Sequence, residues 1–339
     1  MNAVAPVLSI AIPTWNRAPF LAGTLEQLRR ETTMLPQNSV EILVSDNCSS
    51  DATPAVVCAA RERGLIVRYV RNDANIGSDG NIAQCFNLAQ GRNVLILGDD
   101  DLPVDGALGL ILGYLNRKEY GVVCWRPYGF ERDFRREYPG GHGNDREFDD
   151  PGEFLAAIGP LVTLISSCVI NKALLTGMDA RQFCGGNLVQ VHLVIRAAMA
   201  AKVSLYLQHY LVACKRNNSG GYEFSQVFVE ELGEVLDRYR TVGLSTVAIE
   251  AFENRMLLGY YPFYVFRQRL ANRQDPCVEY ARFRRRFGRR LAFLLFVAPI
   301  LRLPRPFGLA WGAAATMVGR IATGDLRRGL KFVWRRLVP

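Results

Sequence analysis

From Leu8 onward, short apolar runs alternate with longer segments whose apolar residues recur at helical spacing. The runs at 8–13, 40–45, 65–70 and 93–97 are brief, rich in branched side chains and bounded by polar or turn residues, the pattern of strands buried on both faces of a parallel sheet. Segments 17–30, 53–63, 79–89 and 104–115 have helical length and periodicity. Four strand-then-helix units in succession predict an α/β, Rossmann-like, mostly parallel sheet with right-handed crossovers and helices on both faces. Ligands of such sheets bind beyond the carboxyl ends of the strands, so the residues just after each strand carry the functional expectation.

Those residues are Thr14-Trp15-Asn16-Arg17, Asp46-Asn47-Cys48-Ser49-Ser50-Asp51, Arg71-Asn72-Asp73-Ala74-Asn75-Ile76-Gly77 and Gly98-Asp99-Asp100-Asp101. Ser50, Asp51 and Asp79 are equally suited to capping the helices that follow. The triplet Asp99-Asp100-Asp101 asks for more, because one cap needs one carboxylate. At ~4 Å and an effective dielectric of ~20, each like-charged pair costs on the order of 4 kcal/mol. A divalent cation relieves that repulsion, and carboxylates with substrate phosphate oxygens suit Mg²⁺ or Mn²⁺.

With Ile12-Pro13-Thr14-Trp15-Asn16-Arg17, Val44 through Asp51, Asn75-Ile76-Gly77, Asn81 and Leu97 through Leu102 in this order, residues 7–105 resemble a family 2 glycosyltransferase of the GT-A fold. Gly98 ahead of the triplet, and Ile165 through Asn171 further on, are similar to abequosyltransferase-like O-antigen sugar transferases. The resemblance implies a nucleotide-sugar donor and a glycan acceptor. Pro13, Thr14, Arg17, Asn75, Gly77 and Asn81 fall in the donor-binding loops. Asp46 matches the acid that hydrogen-bonds the nucleobase. Asp99, Asp100 and Asp101 match the DXD region that holds the metal on the diphosphate, with Asp101 or Asp100 as ligand and Asp99 toward the ribose or donor sugar. The family's general base belongs to a Glu-Asp pair opening a helix; the expected Asp falls on Gln190, which cannot take a proton, and His192 two residues on can. His192 is thus a candidate base, with a half-buried packing histidine as the alternative. His209 reads as structural and His142 as part of a glycine-rich turn. The stretch 125–148 is the natural place for acceptor recognition.

Charge changes the picture of the second half. The chain has 339 residues and a formal charge of +9, but residues 281–339 hold 14 of the 41 Lys and Arg and a single acid, Asp325. We therefore expect a catalytic domain over 1–215, a helical extension over 216–280 and a basic amphipathic tail over 281–339. The tail's apolar runs, at 291–301 and 307–319, are shorter than the ~20 residues a bilayer core requires. Arginines among them suit helices lying on an anionic membrane surface. A plain basic helical bundle is the alternative. Nucleic-acid binding is not expected, since no recognised motif accompanies the arginines. The eight cysteines form no CxxC pair and no basic-then-apolar leader precedes the first strand, which disfavours a disulfide framework, a zinc ribbon and secretion. The expectation is a cytoplasmic enzyme, peripheral on the inner face of the plasma membrane, that acts on a polyprenyl-diphosphate-linked glycan in surface polysaccharide synthesis. Two other readings stay open: a catalytically inactive membrane scaffold, and a nucleotidyltransferase, although 13–19 lacks the basic glycine-rich loop the latter requires.

Overall fold

The computed structural model describes residues 5–216, 223–272 and 275–322. Two compact units emerge, one from 1–154 with 161–219, the other from 155–160 with 220–339. The second unit takes in described residues of both the expected 216–280 extension and the expected 281–339 tail.

In the first unit, β1 (Leu8–Thr14), β2 (Val40–Asp46), β3 (Arg68–Arg71) and β4 (Asn93–Ile96) lie in the order β3-β2-β1-β4, all parallel. Helices α1 (Ala18–Thr32), α2 (Thr53–Glu62) and α3 (Gly77–Leu88) connect them. These are the elements the hydrophobic pattern predicts, each within a few residues. Leu8, Ile10, Ile12, Val44, Leu95 and Leu97 are buried in one core with Leu21, Leu25 and Leu28 of α1. The spacing of those leucines at i, i+4 and i+7 turns one stripe of the helix onto the sheet.

Beyond β4 the sheet becomes mixed. Strand β5 (Asp101–Pro103) is followed by α4 (Ala107–Arg117), β6 (Val122–Phe130), β7 (Arg146–Phe148), α5 (Pro151–Ile158), β8 (Cys168–Asn171), α6 (Val189–Ala200) and β9 (Ser204–Lys215). The order continues β4-β8-β6-β9-β5, with β7 also on β9. β8 runs antiparallel to both β4 and β6, while β6 and β9 are parallel. Strand β8 thereby brings residues 165–167 against the end of β4.

The second unit is helical: a π-helical turn (Gln226–Glu231) leads into α7 (Leu232–Thr241), then α8 (Thr246–Arg255), α9 (Tyr261–Ala271), α10 (Pro276–Phe287), α11 (Ala298–Arg302) and α12 (Arg305–Ala322). Tyr261, Phe283, Phe287 and Phe293 are buried and in aromatic contact. The arginine cluster is largely tied into this unit. Arg286 and Arg290 both bond the buried Glu253 carboxylate, Arg286 also bonds Asp237, and Arg282 and Arg285 pair with Glu230. Four arginines of the expected basic tail, Arg282, Arg285, Arg286 and Arg290, thus pair with acids between Glu223 and Glu253, and residues 323–339 of that tail lie outside the described residues. Among the described residues no helix is long and apolar enough to cross a membrane.

Candidate active site at the carboxyl edge of the sheet

Leu97 N–H still donates to the Ala11 carbonyl (2.9 Å), extending the parallel pairing by one residue. The chain then turns, Asp101 N–H donating to the Gly98 carbonyl (3.1 Å), and Asp101 opens β5 against Cys214 of β9. The triplet therefore straddles a turn between two strands, and its three carboxylates meet three different environments.

Asp99 is 6% exposed. Its Oδ2 accepts from Thr14 Oγ1 (2.8 Å), its Oδ1 from Arg17 Nε (2.7 Å), and its carbonyl from Thr24 Oγ1 (2.8 Å). Burial pushes its carboxyl up to about 6, with Arg17 and Thr14 opposing. Arg17 also reaches Asp100, Nη2 to Oδ2 at 2.8 Å, so one guanidinium bridges both acids. The Asp100 side chain keeps 17% of its surface open. Asp101 turns inward: its Oδ2 accepts from Ser166 Oγ (2.5 Å), which itself accepts from Gly98 N–H (2.9 Å). Burial first, then the Asp100 charge, pushes Asp101 up to about 7. Gly98 makes this packing feasible, because a Cβ there would stand 3.0 Å from Asp101 Oδ2 and 3.3 Å from Asp100 Oδ1.

Among the described residues no three His, Cys, Asp or Glu side chains gather to enclose a metal. A sugar-nucleotide metal does not need such a cage: Mg²⁺ keeps waters and takes one or two carboxylates plus substrate phosphates. Asp100, partly open at the turn, fits that single-carboxylate role. Both oxygens of Asp99 accept bonds from Thr14 and Arg17, Asp101 Oδ2 accepts from Ser166, and Asp100 Oδ2 meets Arg17. Of the three expected ligands, Asp100 keeps the most open side chain.

The other expected donor residues are less open than the sequence suggests. Asp46 is fully buried, its oxygens accepting from Ser49 N–H (2.9 Å) and Tyr69 Oη (2.5 Å), with Arg71 Nε at 3.6 Å. These bonds brace the loop after β2. Burial, then the bond to Asp46, holds the Tyr69 hydroxyl above its ordinary range. Asn81 exchanges bonds with Ser45, and Asn75 Oδ1 accepts from Asn47 Nδ2 (2.8 Å) and Gly77 N–H (2.9 Å). Asn81 is buried in this pairing, whereas Asn75 stays exposed. Gly77 has φ +79, a left-handed conformation that favours glycine at the start of α3. Pro13 pairs with Ser45 at the end of β1. Asp51, one of the candidate caps, bonds Thr53 N–H (3.0 Å) and also Ala18 N–H (2.9 Å), so it fastens the starts of α2 and α1 together. Asp79 instead accepts from Gly185 and Asn187 N–H and anchors the loop before α6.

On α6, Gln190 donates to the Thr163 carbonyl (2.9 Å) and its Oε1 is buried without a partner. His192 is 7% exposed and stacks on Phe183 at 4.5 Å between centroids, 6° between planes. His142 and His209 stack on each other, His209 facing Asp145. Sequence reasoning passed over Thr24, Tyr69 and the Asp101–Ser166 bond; Ser166 was visible only as part of the 165–171 motif.

A buried acidic turn thus lies beside a polar β1–α1 loop at the carboxyl edge of the parallel strands, where α/β sheets bind their ligands. The family model described as Glycosyl transferase family 2 matches residues 9–166, and this part of the chain is a family 2 glycosyltransferase domain. Over 112 residues the chain is 31% identical to the GalNAc(5)-diNAcBac-PP-undecaprenol beta-1,3-glucosyltransferase of Campylobacter jejuni, covering 33% of this chain and 35% of that protein. Over 65 residues it is 46% identical to the validoxylamine A glucosyltransferase of Streptomyces hygroscopicus subsp. jinggangensis, covering 19% and 15%. The matches thus span about a third or less of these relatives' own lengths. The crystal structure of S. aureus TarS 1-349 superposes with a TM-score of 0.61 at 14% identity, covering 97% of this chain and 91% of that one, a likeness of fold.

Proposed function

We propose that the chain transfers a sugar from a nucleoside-diphosphate-sugar to a polyprenyl-diphosphate-linked glycan during surface polysaccharide assembly. The observation that carries this reading is the Asp99–Asp101 turn, locked by Thr14, Thr24 and Arg17 at the edge where such sheets bind ligands. The C. jejuni relative's name, with its undecaprenol-linked acceptor, supports the acceptor class. Asp99, fixed by Thr14 and Arg17, orients the turn, and Asp100 presents the carboxylate that would hold Mg²⁺ or Mn²⁺. When bound, such a cation stabilises charge developing on the departing diphosphate. Arg17 keeps the two acids in place without a cation and adds positive charge beside the same oxygens. The test is transfer of sugar from a panel of nucleotide-sugars to polyprenyl-diphosphate-linked glycans, read by mass spectrometry. Loss of transfer on chelation with EDTA and its return with Mn²⁺ is expected; transfer indifferent to chelation contradicts the metal role.

His192 is the proposed base, as the nearest proton acceptor on the helix where Gln190 replaces the family's acid. His192→Ala should lower kcat about a hundredfold with little change in donor affinity. Wild-type kinetics would leave it a packing residue against Phe183. Gln190 also favours a second reading, a non-catalytic scaffold, which nucleotide binding without any sugar transfer would support.

We place the second unit on an anionic membrane surface. Helix α12 turns Gly308, Gly312, Ala315 and Gly319 inward, Gly312 close against Phe266, and leaves Phe307, Trp311, Val318 and Ile321 exposed on one face. Leu291, Leu294 and Leu295 are exposed nearby in sequence, and Arg284, Arg289, Arg302 and Arg305 are exposed too. Large apolar side chains outward, small ones inward and arginines alongside suit an interfacial helix. Deleting 281–339 is not a clean test, because Phe283, Phe287 and Phe293 are core. The double change Phe307→Glu with Trp311→Glu should lower co-sedimentation with phosphatidylglycerol vesicles about tenfold or more. Unchanged sedimentation would contradict the assignment.

A further inference from the structure

Arg126 stands apart from the other arginines near the site. It lies on β6, half-buried, and its Nε is buried with no hydrogen-bond partner. Among the described residues no carboxylate or carbonyl is bonded to its guanidinium. Arg17, Arg71 and Arg216 each have an acid within 4 Å. A guanidinium withdrawn from water costs stability unless an anion answers it, and native chains seldom leave such a group unanswered.

Its position says where the answering anion would sit. Cys124 of β6 pairs with Cys168 of the antiparallel β8. β6 also packs against the 3-10 turn Ile165–Ser167 that leads into β8. The register carried two residues beyond its last pair sets Arg126 level with Ser166, which bonds both Gly98 N–H and Asp101. On that extrapolation Gly98 after β4, Ser166 before β8 and Arg126 of β6 stand side by side, about 10 Å from first to last at ~4.8 Å per strand. The row is irregular here: β9 carries extra residues between its partners of Cys124 and Arg126, Tyr206 and Tyr210. Trp125 is buried in the main core, so alternation places Arg126 on the sheet face opposite it.

We propose that Arg126 is a substrate-binding residue that grips a phosphoryl group in the catalytic cleft, either the diphosphate of the departing nucleotide or the phosphate of a lipid-linked acceptor. The inference rests on the glycosyltransferase reading for the identity of the phosphate, not for its binding. A planar guanidinium matches two phosphate oxygens at once, which an ammonium does not.

Arg126→Met keeps the apolar stem and removes the charge; Arg126→Lys keeps the charge and loses the fork. Since no protein group depends on the guanidinium, Arg126→Met should unfold at the wild-type temperature or above it. A lowered Tm together with unchanged ligand binding would make Arg126 a packing residue and overturn the proposal. Inorganic pyrophosphate, titrated calorimetrically into each form, should bind Arg126→Met about tenfold or more weakly, with Arg126→Lys between. Nucleoside diphosphates weakened equally, with nucleosides unaffected, assign the group to the donor. A fall in kcat/KM confined to acceptors bearing a polyprenyl diphosphate, absent for the same glycan without phosphate, assigns it to the acceptor. Wild-type behaviour of Arg126→Met in all three arms overturns the proposal. Phosphate binding that depends on Arg126 in a protein that transfers no sugar would uphold this inference while refuting the transferase reading, so the two fail separately.

Discussion

Asp100→Ala should reduce sugar transfer about a thousandfold, with a Tm close to that of the wild type. The two halves of that expectation come from one observation. Asp100 is the most open carboxylate of the turn, and Arg17 is the cation shared between it and Asp99. Removing Asp100 takes away a like charge that pushes Asp101 upward, so the fold loses little. Transfer would lose the carboxylate proposed above to hold the cation. Asp101→Ala should behave differently, losing stability along with activity, because Ser166 Oγ and Gly98 N–H are organised around that side chain. Initial rates and thermal unfolding on both variants separate the roles. An active Asp100→Ala enzyme would remove this residue from the chemistry.

The largest stability effect is expected in the second unit. Glu253, its side chain 5% exposed, accepts from Arg286 at 2.6 Å and from Arg290 at 2.5 Å. Glu253→Ala removes the carboxylate that two guanidiniums share, 20% and 26% exposed, leaving Arg286 with Asp237 and Arg290 with Asn254 as their remaining side-chain acceptors. Breaking a buried pair on one side costs about 3–5 kcal/mol, much of it the unpaired charge left behind. Urea unfolding followed by fluorescence should show that loss in the transition of the second unit. A loss below about 1 kcal/mol would mean that the pair is screened like a surface bridge.

The parallel half of the sheet was legible because its strands are buried on both faces, which writes continuous apolar runs into the sequence. Polar residues after each run then marked the ligand edge. Strands β5, β6, β8 and β9 left weaker traces. They pair antiparallel or across irregular registers with partners as much as 113 residues away, and β5 is only three residues long. The triplet was visible as chemistry but not as geometry. Three adjacent acids look alike in a string, and only the turn at Gly98 and the arrival of Ser166 from 65 residues away decide that Asp101 faces inward. The surroundings of Asp46 were hidden for the same reason: Tyr69, 23 residues on, closes over its carboxylate. The pairing of the arginine cluster was hidden because its partners Glu230, Asp237 and Glu253 lie 33 to 55 residues earlier. What remains exposed is the apolar face of α12, which periodicity alone could not separate from a core stripe.

The central claim is that the turn at Asp99–Asp101 holds a nucleotide-sugar through its diphosphate. Thermal unfolding with UDP-, GDP-, CDP- and dTDP-sugars, each with and without Mn²⁺, tests it most directly, since a ligand bound only by the folded protein raises Tm in proportion to RT ln(1 + [L]/Kd). At least one donor should raise the Tm of the wild type, more strongly with Mn²⁺, and this increment with Mn²⁺ should vanish in Asp100→Ala. No shift with any donor, or the same Mn²⁺-dependent shift in both proteins, would contradict the account.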